Sequence, residues 1–273
     1  MIIERPITMN DMVRDLKVLG VTEGMTLLVH SSLKSIGGWI PGGPEAVILA
    51  LEEAIGREGT LVMPTQSSNL TDPATWRNPP AAEAWWQLIR DEMPPYDPDL
   101  TVTTGMGVIA ETFRKQAGVV RSSHPQLSFA ARGPLAKQLM CPHELDFGLG
   151  DPSPLARLYE TGAYVLHLGT GHATNTSFHL AEYRADWEGK KVITSCAPIR
   201  RAGERTEWVT FEDINFYSDD FEQLGMAFEA AYPDAWSRGQ IGNAPSLLAA
   251  QPKMVDYAVN WLKAHRKAER PTP

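Results

Sequence analysis

Three short apolar runs constrain the fold more than any other feature. MTLLVH (25–30), GTLVMPT (59–65) and GAYVLHLGTG (162–171) each run into polar, glycine or proline residues. Each reads as a strand bounded by turn signals. Helical stretches lie between and beyond them. Residues 44–55 carry Pro44 at the first helical position and Gly56 as a stop. Residues 9–19 put Met12, Leu16, Val18 and Leu19 on an apolar side, with Asn10 as the cap. Residues 103–118 turn Met106, Ile109, Ala110 and Phe113 inward and stop at Gly118. Helices are also expected over 219–231 and 246–266, and a strand over QLSFAARG (126–133). KVITSCAPIR and RTEWVTFEDI suggest an antiparallel pair near 191–211. Interleaved strands and helices predict an α/β fold, a mixed central sheet flanked by helices, with that hairpin supplying the mixed character. One domain spanning 1–273 is expected, with an excursion at about 66–100 whose Trp76, Trp85 and Trp86 need cover.

Charge narrows the partners. A net charge of −8 leaves no footprint for nucleic acid and suits a cationic small molecule. The two cysteines, Cys141 and Cys196, have no zinc or disulfide spacing and fit reduced thiols. The N-terminal MIIERPITMNDMVRDLKVLG breaks its apolar residues with charges, unlike a signal peptide. No run approaches the roughly 20 apolar residues of a membrane span, so a cytoplasmic protein is expected.

Several familiar motifs are missing: GxSxG, HExxH and GxxxxGK[ST]. GTGHAT (169–174) has part of a dinucleotide fingerprint, but Thr174 replaces its third glycine. Four histidines, His30, His124, His167 and His172, fall at strand ends or just beyond, where ligand sites of open sheets gather. They could be hydrogen-bonded structural residues or zinc ligands, although none shows the short spacing of a metal motif.

His179 and Glu182 form the most telling pair. Three residues apart on a helix, they share a face. Histidine takes up a proton near neutral pH, and a carboxylate can fix its tautomer. The same spacing on an exposed helix is worth only a few tenths of a kcal/mol. What favours a site is that this helix follows a glycine turn at a strand end. HSSLKSIGG (30–38) offers hydroxyls, Lys34 and a glycine-rich backbone for an anion. SSHPQLSFAARG (122–133) places Ser122, Ser123 and His124 before a strand, as pocket lining or as turn chemistry.

Together the blocks LLVHSSLKSIG, GPEAVILAL, GTLVMPTQS, TGMGVIAETFR, RSSHPQLSFAARG, DPSPLARLYETGAYVLHLGTGHATNTSFHLAEYRA and FEDINFYSDDFEQLGMAFE resemble the aminoglycoside 3-N-acetyltransferase family, in order, from about residue 10 to the last helix. The resemblance implies a fold distinct from the GCN5 type. It implies transfer of an acetyl group from acetyl-coenzyme A to the 3-amino group of a 2-deoxystreptamine antibiotic, and hence resistance. It places the catalytic His-x-x-Glu on His179 and Glu182, with no metal. His30, Ser31, Ser32, Leu33, Lys34, Ser35 and Gly37 match the coenzyme-A loop, and Ser122, Ser123, His124 and Phe129 the thioester end. Residues 66–100 correspond to a wall of the acceptor site. Two departures, His167 and His172, bear on the acceptor pocket.

The expected chemistry is direct transfer in a ternary complex. His179 takes the proton of the amine, Glu182 orients the ring, and both substrates are held together. Ser122, Thr174 and Thr176 are candidate donors to the developing oxyanion. Glu111, Asp186 and Asp213 are candidate carboxylates for the cationic sugars. The partners are then an aminoglycoside and coenzyme A, with neither nucleic acid nor membrane, and room is left for a homodimer. The competing readings are an acyltransferase of the same fold with another amine, a zinc-dependent hydrolase using His30, His124, His167 and His172, and a non-catalytic antibiotic-binding protein.

Overall fold

The computed structural model describes residues 5–200 and 206–267; the tip of the predicted hairpin and both ends of the expected 1–273 domain lie outside those ranges. Its strands are β1 (Thr26–Ser31), β2 (Thr60–Pro64), β3 (Val120–Arg121), β4 (Phe129–Arg132), β5 (Tyr164–Leu168), β6 (Val192–Arg200), β7 (Thr206–Ile214), β8 (Trp236–Ile241) and β9 (Ala244–Ala250). Seven of them form one sheet in the order β3-β4-β2-β1-β5-β9-β8. β1 runs parallel to β2 and β5, and every other pairing in that sheet is antiparallel. The expected mixed sheet is therefore present.

The helices are α1 (Met9–Leu19), α2 (Leu33–Ile36), α3 (Pro44–Ile55), α4 (Trp86–Glu92), α5 (Gly107–Phe113), α6 (Ala136–Met140), α7 (Pro154–Glu160), α8 (Ser177–Arg184), α9 (Phe221–Ala231) and α10 (Gln251–His265). Side chains alternate across the central strands and split the interior in two. Leu27, Val29, Leu61, Met63 and Leu166 meet α1, α3 and α5 on one face. Leu28, Val62 and Val165 meet α6, α7, α8, α9 and α10 on the other. His30 and His167 fall in step with Leu28 and Val165, so they turn toward the α8 face.

Four local expectations change. The cap of α1 is Thr8, whose hydroxyl accepts the Asp11 N–H while the Asp11 carboxylate accepts the Thr8 N–H. This reciprocal capping box prevails over Asn10. The helix expected over 103–118 is formed only over Gly107–Phe113, because Gly105 and Gly107 take positive φ at its start. The β6–β7 hairpin exists, but as a separate two-stranded sheet; the mixed character of the main sheet comes from its outer strands. Residues 246–250 are strand β9, not helix. Their alanines and leucines are good helix formers, but the Gly242-Asn243 turn folds β9 back on β8.

The excursion at 66–100 is tied at both ends and across its middle. At its base the Thr104 N–H donates to the Gln66 carbonyl at 2.8 Å. Arg90 forks onto Asp72 at 2.9 and 2.8 Å, and Trp208 of β7 donates to the Arg90 carbonyl at 2.9 Å. Trp76 and Trp86 are partly covered and hydrogen-bonded, but Trp85 is 61% exposed, against expectation.

α9 approaches the turn after β5 through Gly225. A Cβ there would stand 1.9 Å from the His172 ring. Gly→Ala inside a helix ordinarily stabilises by up to about 1 kcal/mol. Here the clash reverses the sign, and Gly225→Ala is expected to cost about 1–3 kcal/mol. Urea unfolding of the variant checks this; equal or greater stability would show that α9 and His172 do not pack as described.

Candidate active site

A cavity of about 300 Å³ opens at the carboxyl ends of the three parallel strands. β1 contributes His30 and Ser31, and β2 contributes Pro64. Beyond β5 come Thr170, Thr174 and Thr176, and α8 contributes His179. The βαβ crossover from β1 leads to β2 on one side, while β5 lies on the other. Ligands of open α/β sheets bind at such a switch point. A groove of about 290 Å³ continues outward, with Ser31, Ser32, Leu33 and Lys34 on one wall and residues 105–109 on the other. Gly169 makes the junction close. At φ +69° it suits glycine, and a Cβ would lie 2.4 Å from that of Ser35.

α8 delivers the pair that its sequence spacing predicts. The His179 Nδ1–H donates to Glu182 Oε2 at 2.5 Å. That fixes the tautomer and leaves Nε2 with its lone pair, on a residue that lines the cavity. The ring packs between Phe216 and Phe221, with centroids 4.9 and 4.8 Å away. Glu182 is wholly buried. Its second oxygen accepts the Tyr217 N–H at 3.0 Å and a short hydrogen bond from Arg266. Arg266 was not anticipated: it lies 84 residues along the chain in no local motif.

Three further histidines form a row that begins at His30 on the cavity wall. His30 and His167, register partners across β1 and β5, stack at 5.2 Å, and His172 meets His167 edge-on at 5.3 Å. His172 Nε2–H donates to Glu229 at 2.7 Å. Burial, aided by nearby His179, pushes His30 down to about 3, and burial holds His167 well below its usual range. Neither His167 nor His172, the two departures, lines the cavity. His124 sits apart, against His143 and Phe211, so the four histidines do not converge. Among the described residues no three His, Cys, Asp or Glu side chains gather as a metal-binding group.

The other expected residues divide. His30 and Ser31 reach the cavity, and Ser32, Leu33 and Lys34 line the groove. Ser32 is also the cap of α2, accepting from Ser35 N–H and O–H, and Gly37 faces Asn243. The 122–129 block does not line the cavity. Ser122 Oγ accepts the Phe129 N–H at 2.9 Å and pairs with His143 Nδ1 at 2.9 Å, and Ser123 donates to the His143 carbonyl. His124 Nδ1 accepts two backbone N–H groups and Nε2 donates to the Leu145 carbonyl, while Phe129 is buried in the core. These residues clamp the 140s segment. Glu111 is engaged by Thr103, Arg114 and Lys115, Asp213 by Tyr183, and Asp186 is exposed. None of the three carboxylates lines the cavity.

With this geometry in hand, comparison with known proteins is direct. The family model for aminoglycoside 3-N-acetyltransferase matches residues 28–263. The chain is 45% identical over 257 residues to the SPbeta prophage-derived aminoglycoside N(3')-acetyltransferase-like protein YokD of Bacillus subtilis, covering 94% of this chain and 92% of that one. It is 36% identical to aminoglycoside N(3)-acetyltransferase VIII of Streptomyces fradiae, over 95% and 93% of the two chains. The crystal structure of YokD superposes with a TM-score of 0.91 at 44% identity, over 96% and 95%. The AAC-IIIb binary complex with CoASH gives 0.85 at 29% identity, over 98% and 100%. AAC-VIa bound to sisomicin gives 0.84 at 30% identity, over 97% and 100%. Among the described residues no helix is long and apolar enough to cross a membrane.

The buried imidazoles make acid stability testable. Burial lowers His124 to about 4 and His143 to about 3, so both are neutral in the fold. In the unfolded chain they titrate near 6.5. Between those values the unfolded chain binds more protons, so stability is fullest above about pH 6.5 and is lost as pH falls toward about 3. Melting temperature is expected to decline steadily from pH 7 to pH 4.5. A flat profile over that range would mean that these rings are not buried in the neutral form.

Proposed function

The chain belongs to the aminoglycoside 3-N-acetyltransferase family, an acetyl-CoA-dependent enzyme family, and from that premise we propose that it acetylates the 3-amino group of 2-deoxystreptamine aminoglycosides, conferring resistance, with His179 as general base. The observation that carries this reading is the His179–Glu182 pair at the cavity, its Nε2 free of the carboxylate. When bound, acetyl-CoA supplies an activated acetyl carbonyl for an amine to attack.

The chain's own residues account for the rest. An aminoglycoside amine is largely protonated near neutral pH and must lose a proton before it attacks. His179 Nε2 takes that proton, Glu182, held at Nδ1, keeps the tautomer and stabilises the imidazolium, and the imidazolium returns the proton to the coenzyme-A thiolate released as the thioester C–S bond breaks and the amide forms. Thr174 and Thr176 line the cavity and are positioned to donate to the developing oxyanion, whereas the Ser122 Oγ is engaged with Phe129 and His143. The groove suits the long anionic donor. Lys34 stands exposed on it with no ion pair among the described residues, beside the Ser31 hydroxyl. The bound CoASH of AAC-IIIb and sisomicin of AAC-VIa support both partners. The chain leaves the cavity at Gln66, where the excursion begins, and returns to it at Gly105, just beyond the excursion, which supports its role as an acceptor wall. Use of acetyl-CoA supports a cytoplasmic location.

One observation favours a second reading. Among the described residues the cavity wall carries no carboxylate. A polycationic acceptor gains from acidic partners, so an acyltransferase acting on a less charged amine fits the same geometry. Thiol release measured over gentamicin, kanamycin, neomycin and apramycin, with the product's acetylated position read by NMR, separates the two.

His179→Ala and Glu182→Ala are expected to bind coenzyme A as the parent does and to lose about 10²- to 10⁴-fold in kcat. Near-normal kcat in His179→Ala would remove the base assignment.

A further inference from the structure

We propose that Arg266 is a positioning residue for the transfer: its guanidinium holds the Glu182 carboxylate in place beside His179 and offsets the negative charge that the ring meets there. The inference rests on the reading of His179 as the base. Arg266 follows α10 directly and is 3% exposed, although arginine is rarely buried without partners. Every arm of its fork is occupied. Nη1 donates to Glu182 Oε1, Nε and Nη2 donate to the Asp220 carboxylate at 2.8 and 2.7 Å, and Nη2 also donates to the Tyr217 carbonyl at 2.9 Å. The guanidinium carbon lies 3.9 Å from the centroid of the Tyr217 ring.

The electrostatics follow from this arrangement. Glu182 is fully buried, and the Arg266 guanidinium bonded to it offsets its charge. With Arg266 the Glu182 and Asp220 carboxylates sum to one net negative charge; without it they sum to two. Each negative charge near His179 raises its hold on a proton. A base must release that proton each cycle, so its proton affinity has to stay near the working pH. Other groups act on the pair from each side. His30 faces it from β1 and Asp213 from β7. Asp220 and Tyr217 come from the 215–220 segment, and Lys190 and Tyr183 lie toward Glu182. Of these, Arg266 alone bonds directly to the oxygen of Glu182 that His179 does not use while also holding a second carboxylate.

The test follows His179 by NMR titration of its ring proton, alongside the pH profile of kcat/KM, in the parent, Arg266→Gln and Asp220→Asn. Arg266→Gln is expected to raise the imidazole pKa by about one unit. Asp220→Asn removes one carboxylate and leaves the cation, so the value should fall. The two variants thus move in opposite directions, which a loss of packing alone would not produce. An unmoved value, or a downward shift in Arg266→Gln, overturns the proposal. If Arg266→Gln does not fold, Asp220→Asn decides: a fall supports the proposal and no change overturns it. The NMR value needs no turnover. A kinetic acid limb that fails to track it in all three proteins would count against His179 as the base, while Arg266's effect on the ring would still be read from the titration.

Discussion

One buried carboxylate organises the centre of this molecule. Glu182 spends one oxygen on His179 and the other on Arg266 and the Tyr217 N–H. Removing a charge from water is costly unless hydrogen bonds and an opposite charge replace the solvent. Both are present, and they come from three separate parts of the chain. The imidazole rides on the same helix, the amide belongs to the segment after β7, and the cation follows the last helix. The ionic requirement of one side chain therefore draws the whole α8 face of the sheet together.

The sheet decides where that carboxylate is useful. β1 reaches its carboxyl end between two parallel neighbours, and the cavity forms at that end. The chain must turn away after each of these strands, so polar loop residues collect there with no effect on the cores beneath. The hydroxyl-rich loop after β1 and the turn after β5 approach each other closely; the Ser32 N–H donates to the Leu168 carbonyl at 2.9 Å. One end of the sheet thereby gathers the groove and the His179–Glu182 pair.

How much of this could be read in advance depended on distance along the chain. The parallel strands, α3 with its Pro44 start and Gly56 stop, and the His179–Glu182 pair were legible because their signals are local. Strand β9 was not, because a run of alanine and leucine favours helix until a partner strand exists. Arg266 was invisible for a different reason: nothing near residue 266 announces a carboxylate on α8. Ser122 and His124 look like site residues by type and by their place before a strand. Only the fold reveals that their polar atoms are consumed by the 140s segment. Glu111 and Asp213 are similar cases, acidic by composition but already satisfied by neighbours. Residue type indicates which chemistry is available, and tertiary pairing determines which groups remain free to perform it.

The excursion at 66–100 is pinched at its root by the bond from Thr104 to Gln66, within reach of the cavity, while its body leans on the β6–β7 hairpin. Closing a longer flexible loop costs little, about 0.6 kcal/mol for each doubling of its length. Segments between the pinch and the hairpin can therefore be lengthened or trimmed without disturbing the imidazole or the groove. The architecture separates a fixed end, built on the sheet, from an edge whose length is adjustable, and chains sharing the first are free to differ in the second.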